Sequence, residues 1–274
     1  MSAIRLIVCD IDGTLLNPDH RLDDKVALYI RRYVERGGLF TLATGRPLMS
    51  TQRILEQLQI RLPVILCNGA VLARDGETIM RSGLPMKPIH GLLEAAHAAG
   101  HNVLLFRGDK VQVMRRTKEI DQYERKEGIR CSVVPSMMGA ESPWLEEELD
   151  KIILIGDMEV SRRIWARWER VAGAYAGVFQ SETNYLELVP KHVSKGKALQ
   201  QLSTMINIDT ANTMAIGNQM NDLSMLRAAG IGAAVANSPD MLKAEADYVC
   251  RASHGEGVIE AIEQFIYGGI TYGD

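Results

Sequence analysis

The sequence predicts an α/β fold with an open, parallel sheet at its core and a second, α+β domain inserted into it. Three observations predict this. Short apolar runs alternate with amphipathic helical segments from Ile4 to Gly69, the rhythm of right-handed strand–helix–strand units. A middle segment breaks that rhythm with hairpin signals and scattered helices. From Ser194 the alternation resumes and runs to Ile266.

Taken in order, Ile4–Cys9 is apolar and rich in branched residues, as a strand buried on both faces is. Asp23-Asp24 then places two acids at the positive end of a helix, along which Val26, Tyr29, Ile30, Tyr33 and Val34 recur at helical spacing until Gly37-Gly38. Leu39–Thr44 is a second strand, ending in Thr-Gly-Arg-Pro, and Pro47 suits the first turn of a helix that carries Ile54, Leu55 and Leu58 inward. Pro63–Cys67 is a third strand, expected to join the same parallel sheet, and it ends at Asn68-Gly69. Arg74-Asp75-Gly76 is a polar turn, and Pro85 and Pro88 are expected to bracket a linker. A helix follows from about Ile89 to Ala99, and then Asn102–Arg107 and Lys110–Arg115, joined by Gly108-Asp109, read as a hairpin. Lys118–Glu127 is a charged helix, Lys151–Ile155 a strand, Val160–Ala172 a helix, and two strands lead to Val189. Residues 85–190 are therefore expected to form the inserted domain, and residues 1–84 with 191–274 the core. In the last part Ser194–Met205, Asp222–Ala229, Pro239–Ala246 and Gly257–Ile266 read as helices, Thr213–Gly217 and Ile231–Ala236 as strands.

Composition narrows the function classes. The chain has 274 residues, 46% hydrophobic and 24% charged, ordinary values for a globular protein. A net charge of -3 offers no basic field for nucleic acid or an anionic membrane. No apolar run approaches the roughly 20 residues that span a bilayer, and the N-terminus enters a strand without a signal region. Cys9, Cys67, Cys131 and Cys250 are scattered without a CxxC pair, which points to a reducing, cytoplasmic setting rather than disulfides or zinc. Trp165 and Trp168, three apart on a helix, read as packing residues, as does Trp144.

Chemistry concentrates at the ends of the predicted core strands. Asp10-Ile11-Asp12-Gly13-Thr14 sets two carboxylates two residues apart beyond the first strand, where open α/β sheets bind ligands. Leu42–Arg46, Ser194-Lys195-Gly196 and Gly217–Asp222 follow in order. This series resembles the four motifs of the haloacid dehalogenase superfamily, specifically its Cof-type phosphatases with a large α/β cap (type IIB), over essentially the whole chain. The resemblance implies a Rossmann-like core, an inserted cap between the second and third motifs that carries substrate specificity, and a Mg²⁺-dependent phosphatase acting on a small phosphorylated metabolite, such as a sugar phosphate or a nucleotide-related cofactor. It implies no nucleic-acid or membrane partner and leaves monomer or homo-oligomer open.

For a phosphate monoester, a carboxylate nucleophile must approach another anion, so the site needs cations around it. Asp10 is the candidate nucleophile and Asp12 the candidate acid and base, the two side chains pointing the same way from a strand end. Ile11, Thr44, Gly45, Lys195 and Asn221 are candidates to bind phosphate. Thr-Gly is also a plain turn, and Asn221-Asp222 a plain helix cap. Lys195 matches the third motif, with Lys191 and Lys197 nearby and His192 given no role. Asp10, Asp12, Asn218 and Asp222 are the candidate Mg²⁺ residues, Asp222 as one that orients Lys195 or a metal-bound water. Asn218 departs from the pattern, since relatives usually carry Asp there, and an amide oxygen brings no charge to a hard cation. Arg46 either steers substrate or covers the surface. Asn68 with Gly69 either floors the site or turns the chain, and Asn184 with Tyr185 are cap specificity candidates. Two other readings stand beside the phosphatase: a phosphomutase of the same superfamily, and a non-catalytic phospho-ligand-binding protein whose metal site Asn218 has disabled.

Overall fold

The computed structural model describes residues 4–134, 139 and 141–268. In chain order they form β1 (Leu6–Cys9), α1 (Asp24–Glu35), β2 (Leu39–Leu42), α2 (Leu48–Leu58), β3 (Val64–Leu66), β4 (Val71–Arg74) and β5 (Glu77–Arg81). Next come β6 (Leu84–Pro85), α3 (His90–Ala98), β7 (Asn102–Arg107), β8 (Lys110–Val113), α4 (Lys118–Glu127), β9 (Cys131–Val133), β10 (Glu148–Leu149), β11 (Lys151–Ile155), α5 (Met158–Ala172), β12 (Ala176–Glu182) and β13 (Tyr185–Pro190). The chain closes with α6 (Lys195–Met205), β14 (Thr213–Gly217), α7 (Leu223–Ala228), β15 (Ile231–Ala234), α8 (Asp240–Lys243), β16 (Tyr248–Val249) and α9 (His254–Ile266). It divides into two compact units, one of residues 1–46, 51–79 and 194–274, the other of residues 47–50 and 80–193.

The first unit is built on a five-stranded sheet in the order β16-β15-β14-β1-β2, all of whose pairings are parallel. Leu6, Ile7, Val8 and Cys9 of β1 are wholly buried, as a central parallel strand covered on both faces requires. The chain winds one way from β1 to β2 and the other way from β14 through β15 to β16, so the switch in winding lies beside β1. Ligands bind beyond the carboxyl ends of such strands at the switch. Asp10, Ala43 and Asn218 follow directly on the ends of β1, β2 and β14.

The third strand departs from expectation. β3 meets the parallel sheet only through a bridge from Ile65 to Ala43, and its full partner is β4, antiparallel, with Val64 opposite Ala73. The cause is the turn that follows. Cys67, Asn68 and Gly69 all have positive φ, at 49°, 56° and 100°, which reverses the chain at once.

In the second unit a six-stranded sheet, β12-β13-β11-β7-β8-β9, carries α3 and α5 packed against each other and α4. The β7–β8 hairpin forms as predicted, with Arg107 opposite Lys110, though β8 ends at Val113. The expected linker between Pro85 and Pro88 is instead interior: β6 pairs with β10, and Leu84, Met86 and Ile89 are fully buried in one apolar cluster. The second unit begins at residue 80, ahead of the expected boundary at 85, and Arg81 is tied to Asp150 and to the Glu148 carbonyl. Trp144, Trp165 and Trp168 pack on the same cluster. The four cysteines are buried free thiols. Among the described residues no helix is long and apolar enough to cross a membrane.

Phe106 is buried in the second unit's other cluster, its ring edge-on to Tyr123 at 6.4 Å. Phe106→Ala is expected to cost about 3–5 kcal/mol of stability, read as an earlier onset of urea unfolding, with Phe106→Leu losing less.

Candidate active site

Beyond β1 the chain leaves the sheet through Asp10. One carboxylate oxygen, Oδ1, accepts from Lys195 Nζ at 2.5 Å; the other, Oδ2, accepts from the Thr14 hydroxyl at 3.0 Å. Lys195 is the first residue of α6, whose N-cap Ser194 accepts from the Lys197 amide. The same ammonium donates to Asp222 Oδ1 at 2.6 Å. Gly196 lets this happen: a Cβ there would fall 2.1 Å from the Ser224 carbonyl oxygen, so only glycine lets the start of α6 pass so near Ser224.

Asp222 spends its second oxygen, Oδ2, on the main-chain N–H groups of Asn218 and Gln219, each at 2.9 Å. Both its oxygens thus accept from protein donors, and through them Asp222 ties Lys195 to the loop after β14. Asn218 opens that loop, with 3% of its surface exposed. One terminal atom of its amide lies 2.9 Å from the Asp12 main-chain oxygen, 3.0 Å from Thr14 Oγ1 and 3.2 Å from Asp10 Oδ2. Gly13, at φ +77°, makes room for this amide, since a Cβ there would lie 2.3 Å from it.

Asp12 points elsewhere. Its side chain is 42% exposed and receives Arg46 Nε at 2.7 Å and Nη2 at 2.5 Å, with His20 Nδ1 at 3.5 Å. Arg46 therefore does not merely cover surface. Thr44 is buried, and its hydroxyl accepts from the Arg46 amide. Asn221 donates to the side-chain oxygen of Asn68 at 3.0 Å. The Asn68 amide nitrogen, buried beside Gly45, is left without a hydrogen-bond partner. Ile11 is buried and contributes its carbonyl to the N–H groups of Leu15 and Leu16. Asn184 belongs to the second unit, exposed in the turn between β12 and β13.

The other site residues thus gather in the first unit. Sequence reasoning gave no role to Thr14, though it belongs to the first motif, nor to Gln219, though it belongs to the fourth, nor to His20, for which no sequence signal exists. Among the described residues no cluster of three or more His, Cys, Asp or Glu side chains is arranged to hold a metal. The oxygens that converge on the Asn218 amide are a carboxylate oxygen of Asp10, the Asp12 main-chain carbonyl and the Thr14 hydroxyl.

The two carboxyls of the first motif are driven apart. Burial, and then the charge on Asp222, push Asp10 up to about 7 against the pull of Lys195. Burial also raises Asp12, but the hydrogen bonds from Arg46 and His20 outweigh it and hold that carboxyl well below the usual range. Lys195 is raised, the two carboxylates more than offsetting its burial. The sign for Asp10 follows. Between its unfolded value, near 3.8, and about 7, the folded protein keeps a proton that the unfolded chain has lost, so this group's contribution to stability falls as pH rises through that window. Asp10→Asn removes that loss. In chelator, the stability of the native protein relative to the variant is expected to fall by about 2 kcal/mol from about pH 5 to about pH 7.5, measured by urea unfolding.

The chain is similar to known proteins over most of its length. The haloacid dehalogenase-like hydrolase family model matches residues 7–262. The HMP-PP phosphatase of Escherichia fergusonii is 29% identical over 91% of this chain and 90% of its own length. Phosphatase YwpJ of Bacillus subtilis is 27% identical over 96% and 100%. Among solved structures, a haloacid dehalogenase-like hydrolase from Bacteroides thetaiotaomicron superposes with a TM-score of 0.84 at 25% identity, covering 95% of this chain and 99% of that one. The HAD subclass IIB sugar phosphatase BT4131 gives a TM-score of 0.78 at 21% identity over 95% and 98%, a likeness of fold alone. This chain belongs to the haloacid dehalogenase-like hydrolase family.

Proposed function

We propose that this phosphatase hydrolyses a small phosphorylated metabolite through a phosphoryl group carried on Asp10, with Mg²⁺ as cofactor. The observation that carries the reading is Asp10 itself: a buried carboxylate at the carboxyl end of a central parallel strand, with a buried ammonium 2.5 Å away and a second carboxylate two residues on. The names of the relatives, HMP-PP phosphatase among them, support a phosphorylated small-molecule substrate. The second unit serves as the specificity domain in this proposal, with Asn184 among its candidates.

In the first step an Asp10 oxygen attacks phosphorus, the bond from phosphorus to the leaving oxygen breaks, and Asp12 gives that oxygen a proton. In the second, a water attacks the Asp10-bound phosphoryl group as Asp12 takes the water's proton. The bond to Asp10 breaks and inorganic phosphate leaves. Lys195 offsets the charge that builds between phosphate and Asp10. The partnerless Asn68 N–H, with Asn221 bonded to its amide and Thr44 beside it, supplies buried donor capacity for a phosphate oxygen. Arg46 holds Asp12 ionised in the absence of substrate, so it must transfer to the phosphate before Asp12 can carry a proton.

The donor set fits Mg²⁺. Asp10 Oδ2, the Asp12 carbonyl and the Asn218 amide oxygen are hard oxygens, the donors this cation prefers. Bound there, the cation supplies positive charge that keeps Asp10 ionised and screens the phosphate. The binding-protein reading draws on Asn218 alone.

Phosphate release is the test, from a panel of sugar phosphates, nucleotides and cofactor phosphates with and without Mg²⁺. Release is expected to require Mg²⁺ and to vanish in Asp10→Asn; release untouched by that variant sinks the mechanism, and transfer in place of release favours the phosphomutase. Binding of phosphorylated ligands with no release from any compound favours the binding protein. Arg46→Met is expected to raise KM about tenfold or more through loss of a charged phosphate contact, while shifting the alkaline limb of the kcat/KM profile upward as Asp12, the acid of the first step, loses the partner that holds it ionised.

A further inference from the structure

The amide of Asn218 has two ends of the same shape and opposite hydrogen-bonding character. Its inward end faces the Asp12 carbonyl oxygen at 2.9 Å, Thr14 Oγ1 at 3.0 Å and Asp10 Oδ2 at 3.2 Å. With nitrogen inward, the two N–H groups donate to the Asp12 carbonyl and to Thr14 Oγ1, whose own hydroxyl donates to Asp10 Oδ2, and the cluster is satisfied without any ion. With oxygen inward and Asp10 ionised, the neighbouring donor is the Thr14 hydroxyl, whose one hydrogen must then leave Asp10 Oδ2. The contacts to Asp10 and Asp12 then become oxygen against oxygen, which is unfavourable unless a cation lies between them. Their separations match one: ligands about 2.0–2.1 Å from Mg²⁺ at right angles stand about 2.9 Å apart.

We propose that Asn218 turns with cation occupancy, its amide nitrogen bridging Asp12 and Thr14 in the metal-free protein and its amide oxygen facing a bound Mg²⁺. This rests on the Mg²⁺ site of the proposed function and adds to it a second state of the same side chain. An aspartate could not hold the first state. It has no N–H to donate, and it would set a third carboxylate among Asp10, Asp222 and one ammonium. With Asp10 ionised, the buried cluster of Asp10, Asp222 and Lys195 carries a net charge of -1 (two carboxylates, one ammonium). Asn218 keeps it there, so the empty site stays ordered and the cation must displace the amide's hydrogen bonds to enter. By linkage, whatever favours the nitrogen-inward state weakens cation binding by the same factor.

The test uses the full chain and Mg²⁺ alone, without substrate. The side-chain NH₂ resonances of Asn218, assigned by their loss in Asn218→Asp, are followed by ¹⁵N NMR during a Mg²⁺ titration, beside calorimetry. The NH₂ pair is expected to be protected from solvent exchange in chelator, and to shift and exchange faster with the midpoint that calorimetry gives. Asn218→Asp is expected to bind Mg²⁺ roughly tenfold tighter or more, since ligand charge sets affinity, and to melt lower than the native chain in chelator but not in saturating Mg²⁺. Calorimetric binding with the NH₂ pair unmoved overturns the turning amide while leaving the metal site standing. Absence of any Mg²⁺ binding by the native chain overturns the Mg²⁺ site of the proposed function itself, and the amide's second state with it.

Discussion

Everything at the candidate site hangs from one ammonium. Lys195 has no exposed side-chain surface and stands between Asp10 and Asp222, which come from opposite ends of the sequence. Taking three charges out of water is expensive, and burying them is weak evidence for stability. The arrangement instead fixes geometry. The end of β1, the start of α6 and the loop after β14 are all tied to a single Nζ, and Asp222 passes the constraint on through the amides of Asn218 and Gln219. Placing one carboxylate against one lysine would need far less; the second carboxylate makes Lys195 a fixed post rather than a mobile counter-ion.

The protonation states of the metal-free site run opposite to those the proposed chemistry uses. The nucleophile must be ionised, yet burial and Asp222 drive Asp10 toward its protonated form. The acid must carry a proton, yet Arg46 and His20 hold Asp12 ionised despite its burial. Both are corrected by what the site takes up. A cation beside Asp10 favours its charged form, and a phosphate that draws Arg46 away frees Asp12 to be protonated. In the proposed chemistry the site is poorly set for attack until both arrive, which would couple it to substrate through electrostatics.

Much of this was legible in the sequence, and the failures share a cause. The spans of α4, β11 and β14 could be read directly because each is a single pattern bounded by polar or glycine residues. The Pro85–Pro88 stretch misled because proline signals irregular chain, whereas its neighbours Leu84, Met86 and Ile89 are buried by pairing with β10, more than sixty residues on. β3 was legible as a strand but not in its pairing, which a turn of three positive-φ residues decides. At the site the same division holds. Spacing singled out Asp10 and Asp12, and Lys195 came from its motif, while the Arg46–Asp12 pair, the Asn221–Asn68 bond and the hydroxyl of Thr14 depend on contacts between distant segments.

Asn218 is where those two kinds of information meet. In the sequence it reads as a loss, a neutral residue where a charged ligand is expected. In the structure the same amide fills the space of a carboxylate, keeps an oxygen able to face a cation, and adds a donor that a carboxylate lacks. Its neighbours show that the donor has work to do: a carbonyl, a hydroxyl and a carboxylate oxygen lie within 3.2 Å of one amide atom, and Gly13 leaves the room for it. A carbonyl, an ionised carboxylate and a hydroxyl with a single hydrogen around one buried atom are all satisfied only if that atom carries hydrogens or if an ion stands among them. An amide can answer both cases by a half-turn, and a carboxylate can answer only the second.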